Sequence, residues 1–290
     1  MVSADLAVQT AVNGLLLGGI YAVAALGLTL VFGIMDIVNI AHGHMLMVGS
    51  YVAILLFTSF GVTPLLGMLA AMVVLFALGA LLQRVVLNRV VGEGLEQPIL
   101  ILFGVALILQ NLGLYFLGSN AQATELEILR GGVDLGFVFL SGARSVTFVI
   151  AVALVGLTWV FLHRTSTGTA IRATSQNSDA ARYMGIDTDR IYVLTLGIGA
   201  ALAGAGGALL SMLFPITPFV GWSYLLTTFA VVVLGGVGSV LGTLVGGIVL
   251  GVSENLGALY LGGGYRNIIT FTIFLAVLLL RPQGLFGSEE

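Results

Sequence analysis

HRTSTGTAIRATSQNSDAARYMGIDTDR, residues 163–190, is the one long hydrophilic segment among the membrane-length apolar runs of this chain. The apolar run 146–162 ends directly before it, and the run 191–214 begins directly after it. A helix needs about 20 apolar residues to cross the hydrocarbon of a bilayer. The segment is therefore predicted to stand in water between two membrane spans.

The composition of the whole chain agrees with this prediction. Of its 290 residues, 59% are hydrophobic and only 8% are charged, and the mean hydropathy is +1.14. These values lie far outside the range of soluble globular proteins. We predict an all-α fold in which residues 1–290 form a single domain, a polytopic transmembrane helical bundle. The predicted spans are 6–32, 37–60, 63–83, 98–117, 146–162, 191–214, 224–234, 240–261 and 267–280.

The number of crossings depends on how the seventh and eighth spans are interpreted. They flank the glycine-rich residues 235–239, so the pair forms either two crossings, one helix interrupted within the membrane, or a re-entrant element. The bundle therefore has about eight or nine spans, including short or broken helices, and an inverted structural repeat is compatible with it. Glycines at four-residue spacing, such as Gly14 with Gly18 and Gly247 with Gly251, indicate close helix packing.

Two residue types are missing, and their absence excludes several functions. The chain contains no cysteine and no lysine, so it has neither a thiol nucleophile nor the lysine of a nucleotide-binding P-loop. No catalytic arrangement, metal-ligand cluster or cofactor motif is present in the sequence, so we expect no enzyme activity. A net charge of -3 without a basic stripe argues against nucleic acid as a partner.

The arginines predict the orientation in the membrane, because cytoplasmic loops carry an excess of basic residues. With the N-terminus outside, three arginines lie outside and seven inside, and the C-terminus is cytoplasmic. Residues 118–144 then form the main external loop, and residues 163–190 form a cytoplasmic loop. The seven inside are Arg84, Arg89, Arg164, Arg172, Arg182, Arg190 and Arg281, and the three outside are Arg130, Arg144 and Arg266.

Residues 179–185 are predicted to form a short helix within the cytoplasmic loop. Ser175 or Ser178 can cap its N-terminus, Asp179 suits the positive end of its dipole, and Gly185 can take the left-handed conformation that ends it. Such a helix can transmit movement between a docked partner and the spans. The alternative is a surface loop with one incidental helical turn.

This segment resembles the EAA-xxx-G coupling loop of ABC importer permeases, with Asp179, Ala180 and Ala181 followed by Gly185. Residues 168–173, 185–190, 33–44 and 281–285 resemble the branched-chain amino-acid permease family, in the style of its smaller permease chain. The resemblance covers essentially the whole chain. It departs from the fuller importer motif at residues 195–197, where an Ile-x-Leu-Pro would stand. The residues implied to couple to an ATPase are Asp179, Ala180, Ala181, Arg182 and Gly185.

The resemblance implies a permease subunit in a bacterial inner membrane that carries branched-chain or other hydrophobic amino acids. It also implies separate ABC ATPase subunits, a homologous second permease and a soluble substrate-binding protein as partners, besides membrane lipid. A permease for urea or short-chain amides of the same family is the nearest alternative. A secondary transporter or a channel is a more distant one, and co-purification with an ATPase distinguishes them.

Five ionisable or polar residues in or near the spans are candidates for the translocation path: Asp36, Asn39, His42, His44 and Glu254. The first four lie at or just inside a predicted membrane boundary. His42 and His44 point in nearly opposite directions on a helix, which argues against a shared metal ion. A structural role for His42, through a bond that fixes a broken helix, is the alternative. Glu254 is either a path residue, or hydrated near the outer surface, or paired with Arg266.

Overall fold

The computed structural model describes residues 3–90, 94, 96–124, 131–134, 136, 138–281 and 283–287. These residues form a helical bundle with one small β-hairpin. The helices are α1 (Ala4–Met35), α2 (His42–Phe60), α3 (Pro64–Val85), α4 (Glu96–Leu117), α5 (Gly142–Arg164), α6 (Ser166–Gln176), α7 (Ser178–Tyr183), α8 (Thr188–Ser211), α9 (Val220–Gly235), α10 (Val240–Leu261) and α11 (Arg266–Leu280). The predicted all-α polytopic bundle is confirmed.

The two ends of the bundle differ in what they carry. One end, which we name the α7 end, carries residues 165–187 with α6 and α7. The other, the hairpin end, carries the antiparallel strands β1 (Gly132–Asp134) and β2 (Phe139–Ser141). At the hairpin end the loop after α4 is tied to the end of α8, because Thr124 donates its amide to the Ser211 carbonyl at 3.0 Å. Arg130 and Pro282, which the sequence analysis used, lie outside the described residues.

Each of the nine predicted spans corresponds to a helix. Eight helical segments are long and apolar enough to cross a membrane, and α9 is shorter. Its 16 residues cover about 24 Å, somewhat less than the hydrocarbon thickness of about 30 Å. Of the alternatives for the seventh and eighth spans, a single helix interrupted within the membrane is wrong, because they form two helices, α9 and α10. Residues 236–239 form a turn at the α7 end, where Gly238 lies against Gly33 at the end of α1.

The second predicted span was placed wrongly at its start. α1 ends at Asp36, which has a left-handed backbone (φ 53°), and residues 36–39 are not helical. Hydropathy does not reveal this break, because the side chains that follow Asp36 are mostly apolar. α2 begins at His42, whose ring reaches the Ala24 carbonyl of α1. Because residues 24 to 35 of α1 cover about 16 Å, α2 begins deep inside the bundle and not at its surface.

The core of the bundle is formed by α1 and α8, the two most buried of the long helices. Glycines allow α1 to approach α10 very closely, as the sequence spacing predicted. A Cβ at Gly14 would lie 2.6 Å from the Gly251 carbonyl oxygen, and one at Gly251 would lie 2.5 Å from the Gly14 oxygen. Lipid offers no hydrophobic drive for association, so such backbone contact supplies the packing energy between the two helices.

Candidate functional site

The predicted coupling segment folds as two short helices joined at Asn177, whose backbone is extended. Thr165 caps α6 by accepting the Gly168 amide at 2.9 Å, and Gly168 itself packs tightly against the last turns of α5. Asn177 caps α7 by accepting the Ala180 amide at 2.8 Å. The prediction that Ser175 or Ser178 caps this helix is therefore wrong. Asn177 has the same capping chemistry, and its extended backbone places the side chain correctly.

The end of α7 connects it rigidly to the long helix α8. Gly185 has φ 87°, so the predicted left-handed residue at the helix end is confirmed. Arg182 donates from Nε and Nη2 to the Thr188 hydroxyl oxygen at 3.2 and 2.8 Å, and it lies 3.5 Å from the Asp189 carboxylate. Asp187 then caps α8 by accepting the Arg190 amide. These contacts join α7 to the first turn of α8.

The predicted coupling residues occupy two faces of α7. Ala181 is 4% exposed and packs inward, so it holds the helix against the bundle. Asp179, Ala180, Arg182 and Gly185 are exposed.

Two further residues, which sequence analysis did not single out, are highly exposed at this surface. Tyr183 is 90% exposed and Met184 is 84% exposed. Two large apolar side chains on a polar tip are typical of a contact surface for another protein.

The structure places His42 and Asn39 in the interior of the bundle. His42 is fully buried and its Nε2 lies 2.7 Å from the Ala24 carbonyl oxygen, so Nε2 carries the hydrogen. Asn39 is also fully buried, with its amide nitrogen 3.8 Å from the Met45 sulfur. These contacts fix the break between α1 and α2. They support the structural role that was the alternative for His42.

His44 belongs to a polar cluster that joins three helices. Its Nε2 lies 3.3 Å from Gln110 Oε1 on α4, and the same oxygen accepts the Trp222 indole N–H of α9 at 2.8 Å. The imidazole and indole rings meet edge to face with centroids 4.7 Å apart. Gln110 and Trp222 were not recognised as site residues, because only the fold brings positions so distant in sequence together.

Asp36 and Glu254 lie apart from the histidines. Asp36 is exposed at the α7 end, whereas Glu254 is 4% exposed within α10. Glu254 accepts hydrogen bonds from the Tyr21 hydroxyl, at 2.9 Å, and from Thr270. The alternative that Glu254 is hydrated near the outer surface is wrong, because its side chain is buried. Its hydrogen bonds tie α1, α10 and α11 together.

The five candidate path residues are therefore not one site. Within the described part of the chain, no group of three or more metal-ligating side chains is suited to hold an ion. The α6–α7 segment, with its bonds to α8, is a separate candidate site.

Comparisons with known proteins show similarity over nearly the whole chain. The profile of the branched-chain amino acid transport system / permease component family matches residues 10–279. The high-affinity branched-chain amino acid transport system permease protein BraD of Pseudomonas aeruginosa is 34% identical, covering 97% of this chain and 96% of that protein. The corresponding LivH of Escherichia coli K12 is 31% identical with the same coverage.

A solved structure shows the same fold at low sequence identity. A chain of the PsaBC complex from Streptococcus pneumoniae, determined with a Fab, superposes with a TM-score of 0.54 and 12% identity. The match covers 98% of this chain and 94% of that chain. At this identity the likeness concerns the fold alone.

Proposed function

The chain belongs to the branched-chain amino-acid permease family, and from this premise we propose that it carries branched-chain or other hydrophobic amino acids into the cell. It is an ABC importer permease with a multi-pass arrangement in the inner membrane. Relatives at 31–34% identity over nearly the whole chain, all named for branched-chain amino-acid transport, carry this proposal. Because these relatives are named for branched-chain amino-acid transport, they favour such substrates over urea or short-chain amides.

The energy for transport would come from other subunits of the transporter. We propose that separate ABC ATPase subunits bind at α7, and that Tyr183 and Met184 insert into a cleft on their surface. Closure of the ATPase dimer would then move α7, and the bonds of Arg182 to Thr188 would pass this movement to α8. Since α8 packs in the centre of the bundle against α1, α2 and α3, a tilt of α8 would reorganise the spans around it.

The distribution of arginines supports a cytoplasmic position for the α7 end. All seven arginines that were predicted to lie inside belong to segments at this end, while Arg144 and Arg266 begin helices at the hairpin end. Basic residues favour the cytoplasmic side. The N-terminus would then lie outside, and the hairpin end would receive substrate from a soluble binding protein. A homologous second permease would complete the pore.

Uptake by the reconstituted complex tests the proposed substrate. Proteoliposomes that contain both permeases and the ATPases, supplied with binding protein outside and ATP inside, should accumulate radiolabelled leucine, isoleucine and valine. Labelled urea and acetamide serve as the comparison. Accumulation of an amide in preference to all three amino acids would refute the proposed substrate class, and uptake that does not need ATP would refute the ABC mechanism.

A further inference from the structure

A cavity of about 450 Å³ at the α7 end has no role in the function proposed above. It lies between α1, α5, α6 and the turn 236–239. Its lining contains apolar side chains, among them Leu30, Leu162 and Leu241, and polar side chains from α1, α5, α6 and the turn 236–239. Leu241, one of the apolar lining residues, is about half exposed at the surface of this chain.

The polar part of the cavity favours an anion. It contains the guanidinium of Arg172, the imidazole of His163 and the hydroxyls of Ser175 and Ser239. Among the residues that line the cavity in the described chain, none is acidic. The nearest carboxylate is that of Asp36, which lines a neighbouring cavity that shares Ser175 with this one. An arginine fork beside hydroxyl donors matches the oxygens of a phosphate group.

One wall of the cavity carries residues that are typical of the membrane interface. Trp159 and His163 stack on one wall with ring centroids 4.5 Å apart, and His163 Nδ1 donates to the Trp159 carbonyl at 2.9 Å. Both residues belong to the last two turns of α5, next to Arg164. Indole rings prefer the headgroup region, where one edge is apolar and the other is wet.

We propose that this cavity binds the headgroup of an anionic glycerophospholipid. The phosphate would be held by Arg172 and the serine hydroxyls, and an acyl chain would follow the apolar wall past Leu30 and Leu241 into the bilayer. The bound lipid would bridge α6 to the turn 236–239 and so stabilise α6, the first helix of the coupling segment. This site stands on its own geometry and does not depend on which substrate is transported.

Fluorescence quenching by brominated lipids tests the site in the full chain. The chain has two tryptophans, so a Trp222→Phe background leaves Trp159 as the only indole. In nanodiscs, brominated phosphatidylglycerol should quench Trp159 at about a fivefold lower mole fraction than brominated phosphatidylcholine, as expected for about 1 kcal/mol from one cation near the headgroup. Arg172→Gln should abolish the preference and Arg172→Lys should retain part of it. Arg89→Gln, which removes an exposed arginine at the same end, should leave it unchanged.

Native mass spectrometry of the natural sequence provides a second measurement that needs no background substitution. It should show phosphatidylglycerol retained in preference to phosphatidylcholine, with the preference lost in Arg172→Gln. Equal quenching by the two lipids, or a preference that survives Arg172→Gln, would overturn the proposal. Displacement of the lipid by millimolar inorganic phosphate would also overturn it, because a soluble phosphate compound would then be the natural ligand.

Discussion

Removal of the Arg182 side chain should uncouple ATP hydrolysis from substrate delivery. In Arg182→Ala the helix keeps a residue with high helix propensity, but α7 loses its two hydrogen bonds to Thr188 on α8. A hydrogen bond from a charged donor contributes about 1.5–3 kcal/mol when it is shielded from water. The Arg182 side chain is 65% exposed, which reduces its contribution to about 1 kcal/mol. This free energy corresponds to about a fivefold change in coupling.

The assay is ATP hydrolysis by the reconstituted complex, stimulated by substrate-loaded binding protein. Arg182→Ala and Thr188→Val, which removes the accepting oxygen while it keeps the side-chain shape, should each lower the stimulation about fivefold, and the double variant should lower it no further. Asp189→Asn should leave it nearly unchanged, because that ion pair is exposed on both sides. Co-purification of the ATPase confirms assembly in each variant.

The pattern among these variants decides the interpretation. If Arg182→Ala reduced stimulation while Thr188→Val did not, Arg182 would act by contacting the ATPase itself. If losses of the two single variants added in the double variant, the bond between α7 and α8 would not be the transmitting element. Either result would refute the coupling path from α7 to α8.

Two further predictions concern the packing of the spans. Gly207→Leu should lower the free energy of unfolding of the full chain by about 1–3 kcal/mol or more. The reason is that a Cβ at position 207 of α8 would collide with the Leu46 carbonyl of α2. Gly104→Ala is the control, since a Cβ at that position would meet no neighbouring atom. Equal losses of stability in both variants would contradict the close crossing of α2 and α8. Glu254→Leu should lower stability by about 1–3 kcal/mol by leaving a buried hydroxyl of Tyr21 without its acceptor. Adding Tyr21→Phe to this variant should restore part of the lost stability. Purely additive losses in the double variant would show that Glu254 does not stabilise the chain as the acceptor for Tyr21.

The sequence predicted the number and place of the spans well, because a membrane-length apolar run requires a helix when no water can satisfy its backbone. It predicted the start of α2 wrongly, since residues 37–41 are largely apolar whether the chain is helical or extended. It also could not separate Asn177 from the nearby serines as the cap of α7, because all have suitable side chains.

The candidate path residues show a different limit. The partners of His44 and Glu254 come from other helices: Gln110 is 66 positions from His44, and Tyr21 is 233 positions from Glu254. Polar residues in spans could be recognised as unusual from composition alone. Which of them meet depends on helix packing, and no local pattern encodes it.

Cysteine accessibility provides the most direct test that α7 stands where an ATPase can reach it. The chain has no natural cysteine, so Met184→Cys at the exposed end of α7 and Val133→Cys in the hairpin each give a single thiol. In intact cells, an impermeant maleimide applied outside the inner membrane should label residue 133 and leave residue 184 unlabelled until the membrane is permeabilised. Labelling of residue 184 from outside would contradict a cytoplasmic α7 and the ATP-driven mechanism with it.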